Sequence, residues 1–123
     1  MTEIDKKLGE LVTIVKKLRS PAGCEWDKQQ TSETLIPYLL EEAYEVAESI
    51  IDNSSSSLKE ELGDLLLHVV FQAVLAEEKD EFSINNVIVS INKKLIKLTM
   101  YKIIKLTSKC KKKKQIDRIK KIQ

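Results

Sequence analysis

The sequence predicts an all-α protein built around a single core. Three observations lead to this fold class. Apolar residues recur at three- and four-residue spacing over four segments, as they do on one face of a helix. Glycine occurs three times and proline twice, and aromatic residues make up only 5% of the chain. A chain of 123 residues has room for one core, whose stability in a monomer is marginal.

The first predicted helix covers residues 3–19 and is amphipathic. It ends at residues 20–23, Ser-Pro-Ala-Gly, a strong helix-breaking cluster. The polar loop that follows, residues 24–30, contains the only tryptophan, Trp26. Packing into the core and contact with a ligand are both open roles for this side chain. The apolar positions of the helix are Ile4, Leu8, Leu11, Val12, Val15 and Leu18.

The second predicted helix begins at Thr31 or Ser32, since either residue can cap it. It runs to about Asp52. Pro37 falls early in this helix, where a missing N–H does the least harm.

The third predicted helix follows a serine-rich connector and is apolar on two opposite sides. It begins at a capping box of Ser57 and Glu60 and ends near Lys79. A helix of this kind has to be buried on both sides. A chain this short achieves that best with a second copy of itself, so we predict a homodimer. One stripe is Leu58, Leu62, Leu65, Val69 and Ala73, and the other is Leu67, Val70 and Val74.

The fourth predicted helix begins after a break at residues 80–82, with Ser83 as its cap. Its apolar positions run from Val87 to Leu98, and beyond Thr99 the pattern becomes irregular.

The charge of the chain is divided between an acidic body and a basic tail. Residues 1–98 carry 11 Lys or Arg against 18 Asp or Glu, whereas residues 99–123 carry 10 against one. We therefore predict a helical domain over 1–98 and a Lys-rich tail over 99–123. Four consecutive lysines at 111–114 repel one another and offer nothing to bury, so we expect the tail to be disordered. Its contact with nucleic acid would be nonspecific and salt-sensitive.

The sequence predicts neither a membrane span nor a secretion signal. No apolar run approaches the length of a span, and the first residues include acids and lack an apolar segment. Cys24 and Cys110 lie far apart and match neither a disulfide framework nor a zinc site. We therefore expect a soluble cytoplasmic protein.

Four acidic residues face inward on the predicted second and third helices. Positions three apart share a helix face, which pairs Glu42 with Glu45 and Glu61 with Asp64. Glu42 lies in the middle of the apolar arc of its helix. Burying unpaired carboxylates is costly, and a cation among them removes that cost. Oxygen ligands without a thiolate favour a hard ion, Mg²⁺ or Mn²⁺.

A solvated acidic face is the alternative explanation, and taken alone Glu41, Glu48 and Glu60 would need no other. His68 lies on the same polar strip as Glu61 and Asp64. A lone histidine on a helix is more often a packing residue than a metal ligand, and we interpret His68 in this way.

Several blocks of the sequence resemble a known family. In chain order they are LRSPAGCEWD at 18–27, PYLLEEAYEV at 37–46, EELGDLL at 60–66, VVF at 69–71, AEE at 76–78 and INKKL at 91–95. Together they look like MazG nucleoside triphosphate pyrophosphohydrolases, over roughly residues 8–97. The resemblance implies an all-α, four-helix fold that assembles as a dimer. It also implies Mg²⁺-dependent hydrolysis of NTPs or dNTPs to the monophosphate and pyrophosphate.

The resemblance assigns roles to individual residues. Glu41 would lie beside the substrate and orient or deprotonate the attacking water. Tyr38 and Lys59 fall in stretches that line the nucleotide, and Lys94 matches a phosphate-facing lysine. By motif position, the metal ligands would be Glu42, Glu45, Glu61 and Asp64, the four acids that face inward.

The chain departs from the family pattern after Ile96. Members usually continue there with two basic residues and His-Pro-His-Val-Phe, whereas residues 97–101 here are Lys-Leu-Thr-Met-Tyr. We favour a pyrophosphohydrolase acting on NTPs or dNTPs. The alternatives are a housecleaning hydrolase for modified or deoxy nucleotides, and a catalytically impaired helical dimer with a basic tail that binds nucleic acid.

Overall fold

The regular structure of the chain is helical, as predicted. The computed structural model describes residues 2–105, 117–118 and 120–121, and no β-strand occurs within these ranges. The chain divides into two compact units, residues 1–84 and 85–123. None of the helices in the described part is long and apolar enough to cross a membrane. The elements are α1 (Glu3–Leu18), α2 (Glu25–Gln29), α3 (Ile36–Ile51), α4 (Ser55–Glu78) and α5 (Ile84–Lys105).

Helix α1 begins at a capping box between Thr2 and Asp5. The backbone N–H of Asp5 donates to the Thr2 hydroxyl at 3.3 Å, and the Thr2 N–H donates to the Asp5 carboxylate at 3.0 Å. The last turn carries Lys16 and Lys17, whose positive charges favour the C-terminal end of a helix dipole. The apolar face turns Val15 fully into the core.

The turn after α1 requires a glycine. The N–H of Gly23 donates to the carbonyl of Ser20 at 2.8 Å, and the N–H of Cys24 donates to that of Leu18 at 2.9 Å. A Cβ at Gly23 would overlap the carbonyl oxygens of Lys17 and Leu18. Residues 25–29, predicted as loop, instead form the short helix α2.

Helix α3 begins at Ile36, later than predicted. Thr31 and Thr34 are joined by reciprocal hydrogen bonds between the backbone N–H of each and the hydroxyl of the other, at 2.8 and 3.2 Å. These bonds hold a turn that competes with the helix. A start at Thr31 or Ser32 would also place Pro37 inside the helix, where its ring clashes with a preceding carbonyl. Instead Pro37 lies in the first turn of α3.

Helix α4 is capped by Ser54, so the predicted capping box of Ser57 and Glu60 is wrong. Asn53 adopts a left-handed conformation with φ of 53°, which closes α3 and leaves Ser54 extended. The Ser54 hydroxyl then accepts the N–H of Ser57 at 3.4 Å. The helix ends at Glu78, and Asp80 is left-handed with φ of 57°. The predicted break near residue 80 is confirmed.

The core lies along the second half of α4. Helices α1 and α3 both pack against α4, and Leu8, Leu11, Val12 and Ile84 surround the buried cluster. Both predicted apolar sides of α4 are covered only in part by the described residues. Ala73, Val70 and Val74 are buried, whereas Leu62 is 48%, Val69 40% and Leu67 36% exposed. The central cluster is Val15, Leu35, Val70, Phe71, Val74 and Leu75.

Helix α5 begins directly after Ser83, as predicted, and continues past Leu98 to Lys105. The Thr99 hydroxyl donates to the carbonyl of Leu95 at 2.8 Å, which satisfies this polar side chain within the helix. The helix thus includes the first residues of the predicted tail. Most of the Lys-rich segment, residues 106–116, lies outside the described residues, and the boundary at residue 98 stays a prediction.

Candidate active site

Helices α3 and α4 form a hairpin that brings the predicted acidic residues to matching heights. A three-residue connection joins the two helices, and they pack along each other. Glu45 lies six residues before the end of α3, and Glu61 lies six residues after the start of α4. Glu42 and Asp64 are each nine residues from those ends. Because both helices rise by about 1.5 Å per residue, each pair is level across the hairpin.

Three of the four acids come together in the structure. Glu42, Glu45 and Glu61 each place a carboxylate oxygen within 4.8 Å of the others, and all three are half-buried. Asp64 is exposed and lies outside this group. Its charge nevertheless contributes to raising the pKa of Glu42. The group Glu42, Glu45 and Glu61 is called the carboxylate cluster below.

The carboxylate cluster is electrostatically unfavourable without a cation. Burial raises the pKa of Glu42, and repulsion from Glu45 raises it further. Hydrogen bonding to Glu61 raises the pKa of Glu45, with burial and the charges of Glu61 and Glu41 adding to the shift. Carboxylates this close favour a shared proton or a bound cation, because either one reduces their repulsion.

The donor atoms of the cluster fit a hard divalent cation. Glu42 and Glu61 each hold an Oε2 atom that is buried and has no hydrogen-bond partner among the residues that the structure describes. Buried polar atoms in folded proteins nearly always have a partner, so these two oxygens are the ones that a cation would satisfy. An oxygen-only donor set suits Mg²⁺ or Mn²⁺. The cluster is therefore a candidate metal site.

The other predicted site residues are not members of the carboxylate cluster. Glu41 is exposed on α3, close enough that its charge raises the pKa of Glu45. Lys59 is exposed on α4 two residues before Glu61, about 200° around the helix, so the two side chains lie on different faces. Lys94 is exposed on α5, in the second compact unit.

Tyr38 lies one helical turn before Glu42, on the same stripe of α3. Its ring contacts Trp26 of α2 edge-to-face, with the ring centroids 5.6 Å apart and the planes at 82°. The two side chains remain 45% and 48% exposed. Trp26 was not among the predicted site residues. The signal that pointed to it was its occurrence as the only tryptophan, in a polar loop beside the first helix.

Arg19 holds the α2 segment in place. Its guanidinium donates two hydrogen bonds to the Glu78 carboxylate, at 2.6 and 2.9 Å. It also donates to the backbone carbonyls of Asp27 and Gln30. The bond to Arg19 lowers the pKa of Glu78. Through these contacts the ends of α1 and α4 fix the position of Trp26.

His68 lies one turn after Asp64 on α4 and is partly buried. Burial lowers the pKa of its imidazole, and the charge of Asp64 acts in the opposite direction. It is not part of the carboxylate cluster among the described residues.

Comparison with known proteins identifies the hairpin as part of a family domain. The family model described as the MazG nucleotide pyrophosphohydrolase domain matches residues 30–99. The nucleoside triphosphate pyrophosphohydrolase/pyrophosphatase MazG of Thermotoga maritima is 56% identical over 88 residues, 72% of this chain and 34% of that protein. The nucleoside triphosphate pyrophosphohydrolase of Escherichia coli K12 is 46% identical over 96 residues, 77% of this chain and 35% of that protein.

A third relative, the nucleoside triphosphate pyrophosphohydrolase of Mycobacterium tuberculosis, is 41% identical over 92 residues, 73% of this chain and 28% of that protein. The chain thus spans about a third of the length of these curated relatives. The resemblance predicted from the sequence blocks is confirmed. The chain belongs to the MazG nucleotide pyrophosphohydrolase domain family.

Proposed function

We propose that this chain is a metal-dependent nucleoside triphosphate pyrophosphohydrolase, which converts an NTP or dNTP to the monophosphate and pyrophosphate. One observation carries the proposal. In a chain of this family, α3 and α4 present three carboxylates within 4.8 Å of one another, two of them with buried, unpartnered oxygens. Three clustered carboxylates can bind the divalent cations whose positive charge offsets the negative charge of a triphosphate.

The cluster would hold Mg²⁺ or Mn²⁺, with Asp64 as a fourth ligand. Asp64 is level with Glu42 across the hairpin, and its side chain is exposed. Held by these residues, a cation would supply neutralisation of phosphate charge and a water molecule of lowered pKa.

The protein side chains then orient the reacting groups. Glu41 accepts the proton of the water whose oxygen bonds to the α-phosphorus, while the bond from that phosphorus to the α–β bridging oxygen breaks and pyrophosphate leaves. The exposed carboxylate of Glu41 beside Glu45 supports this role. The family resemblance implies that Lys59 and Lys94 contact phosphates as point charges, and these two roles stay predictions.

The apolar surface of α4 supports a homodimer. Leu62, Leu66 and Val69 are 40 to 48% exposed and lie on one side of the helix. A contiguous apolar stripe of this kind marks an interaction surface. A second copy of the chain supplies the same stripe and can cover it isologously. The cytoplasmic location expected from the sequence stays a prediction.

The test is a panel of all NTPs and dNTPs with Mg²⁺, Mn²⁺ or EDTA, with products separated by chromatography. We expect monophosphate and pyrophosphate, and no turnover in EDTA. A broad panel of active substrates would disfavour a narrow housecleaning role, whereas activity confined to deoxy or modified nucleotides would favour it. Release of diphosphate and orthophosphate, or no turnover with either cation, would contradict the proposal.

A further inference from the structure

The start of α3 is reached through a short loop that is closed by its own hydrogen bonds. Residues 30–35 connect α2 to α3 and are called the entry loop below. The reciprocal hydrogen bonds of Thr31 and Thr34 lie within it. The conformation of the loop decides where α3 begins, and Tyr38 and Glu41 lie in the first two turns of that helix. The entry loop therefore controls where these two predicted site residues lie.

Side chains from two other helices bind backbone carbonyls of the entry loop. From α1, the Arg19 guanidinium donates to the carbonyl of Gln30 at 3.1 Å. From α4, the side-chain amide of Gln72 donates to the carbonyl of Ser32 at 3.1 Å. Leu35, at the end of the loop, is 1% exposed and belongs to the core cluster. Polar and apolar contacts together fix the loop on the rest of the protein.

Gln72 is a polar residue in an apolar stretch of α4. Its neighbours at 70–71 and 73–76 are all apolar and buried, whereas Gln72 is half-buried. An apolar side chain at this position would pack without needing a hydrogen-bond partner, so the bond to Ser32 is what the glutamine contributes here. A hydrogen bond adds little net stability, but it fixes the geometry of the two groups that it joins.

The contact between Gln72 and Ser32 lies at the open end of the hairpin of α3 and α4. The three-residue connection closes the other end, where Glu45 and Glu61 are level. Gln72 follows Glu61 by eleven residues, about three helical turns, and so lies on the same face of α4. By the same count, Gln72 is level with the end of the entry loop. The face of α4 that carries Glu61 thus also holds the entry loop.

We propose that Gln72 is a positioning residue of the active site. Its bond to the Ser32 carbonyl holds the entry loop on α4, and thereby sets where Tyr38 and Glu41 lie relative to the carboxylate cluster. The cluster itself is nearer the closed end of the hairpin, so its geometry does not depend on this bond. Loss of the bond therefore weakens catalysis without weakening the binding of a cation. The inference rests on the proposed function for the reaction and its substrate.

Gln72→Met is the informative substitution, because methionine has the length of glutamine, suits apolar surroundings and lacks the N–H donor. We expect kcat/KM for ATP in Mg²⁺ to fall about tenfold, since small displacements of groups that orient a substrate are costly. The dissociation constant of Mn²⁺ from the metal-free protein, measured by electron paramagnetic resonance of the free ion, should not change.

Two further variants separate positioning from folding. Gln72→His keeps an N–H donor of similar reach and should restore most of the lost activity. Ser32→Ala removes a side chain but keeps the carbonyl that Gln72 binds, so neither kcat/KM nor the Mn²⁺ affinity should change. Three results would overturn the proposal: an unchanged kcat/KM in a folded Gln72→Met protein, a parallel loss of activity and Mn²⁺ affinity, or no recovery in Gln72→His.

Hydrogen exchange tests the contact without any turnover. Amide exchange in a peptide that covers residues 30–38 should be faster in Gln72→Met than in the wild type, and exchange in a peptide that covers residues 42–61 should not change. Absence of turnover in the wild type would reject the proposed function, while faster exchange in the variant would still support the contact. Unchanged exchange over residues 30–38 would overturn the role of Gln72 even in an active enzyme.

Discussion

Glu42 and Glu61 carry the carboxylate oxygens whose burial is least favourable when no cation is bound. Within the described part of the chain, each has a carboxylate oxygen that is buried from solvent and accepts no hydrogen bond. The pKa of Glu42 is raised, first by burial and then by the charge of Glu45, so its ionised form is disfavoured in the fold. Replacing Glu42 with a neutral residue is therefore expected to lower the activity and to raise the stability of the protein.

Glu42→Gln should lower kcat/KM by more than roughly a hundredfold, because a carboxylate proposed to hold the cation is lost. The same substitution should raise the melting temperature in EDTA, since it removes repulsion from Glu45. Kinetics and thermal melts test the two effects. Glu48→Gln is the matched control, an exposed glutamate of α3 outside the cluster, and should change neither value. Full activity in Glu42→Gln would remove Glu42 from the site.

The pH dependence of stability follows from the same residue. A carboxyl whose pKa is raised in the folded protein favours folding most below its ordinary value of 4.5, and this contribution is lost as pH rises through the folded value. As the pH is lowered from neutral towards 4.5, in EDTA, the melting temperature of the wild type should therefore rise relative to that of Glu42→Gln. Melts of both proteins across this range measure the difference. A wild type that loses stability relative to the variant on acidification would show that the cluster is not strained.

Among the contacts between helices, the side chain of Arg19 connects three of them. Arg19 at the end of α1 binds Glu78 of α4 and two carbonyls at the end of α2, and its guanidinium lies 5.8 Å from the centroid of the Phe71 ring. Because Arg19 is largely buried and Glu78 is not, the two partners should not be equally costly to replace.

Arg19→Ala should lower the free energy of unfolding by about 2–3 kcal/mol, because two carbonyls lose their donor. Glu78→Gln should cost only about 0.5–1 kcal/mol, as for a solvent-screened ion pair. The contribution of Glu78 is present above its ordinary pKa of 4.5 and is lost on acidification, because its pKa is lowered in the fold. Urea unfolding of both variants at pH 7 measures the contrast. Equal losses would mean that the ion pair, and not the carbonyl contacts, holds α2.

The sequence predicts those features of the site that depend only on helical spacing. A period of 3.6 residues relates Glu42 to Glu45, and a short connector makes Glu45 level with Glu61, so the meeting of these acids follows from the pattern. The rotamer of Asp64 does not follow from it. Nor does the start of α3, which depends on the hydrogen bonds of Thr31 within a local turn.

For the whole molecule, the apolar stripe of Leu62, Leu66 and Val69 on α4 stays exposed among the described residues. Leu62, Leu66 and Val69 should be buried in a homodimer, so light scattering at micromolar concentration should give twice the chain mass. Leu66→Glu should shift the protein towards monomer by placing a charge in the interface. Ile4→Glu, at an exposed position on α1, is the control and should leave the dimer intact. A folded wild-type monomer at this concentration would contradict the assembly.

The second prediction for the whole chain concerns the Lys-rich segment. Its positive charge could attract the triphosphate substrate, so its contribution to activity has to be tested. Residues 106–123 carry eight Lys or Arg against one Asp. Since α5 continues to Lys105, the informative truncation ends there and not at Leu98. We expect this truncation to leave kcat/KM for ATP nearly unchanged, because a run of lysines without an apolar face offers nothing to pack against the site.

The same truncation should weaken binding to nucleic acid, and the remaining binding should depend less steeply on salt, because fewer phosphates are neutralised. Fluorescence anisotropy with a labelled oligonucleotide, measured at several salt concentrations, gives both values. A chain ending at Lys105 with its last lysines replaced by glutamine controls for the charge of α5 itself. A more than tenfold loss of kcat/KM, equivalent to about 1.4 kcal/mol, would instead place the segment at the active site, where its lysines would contact the triphosphate.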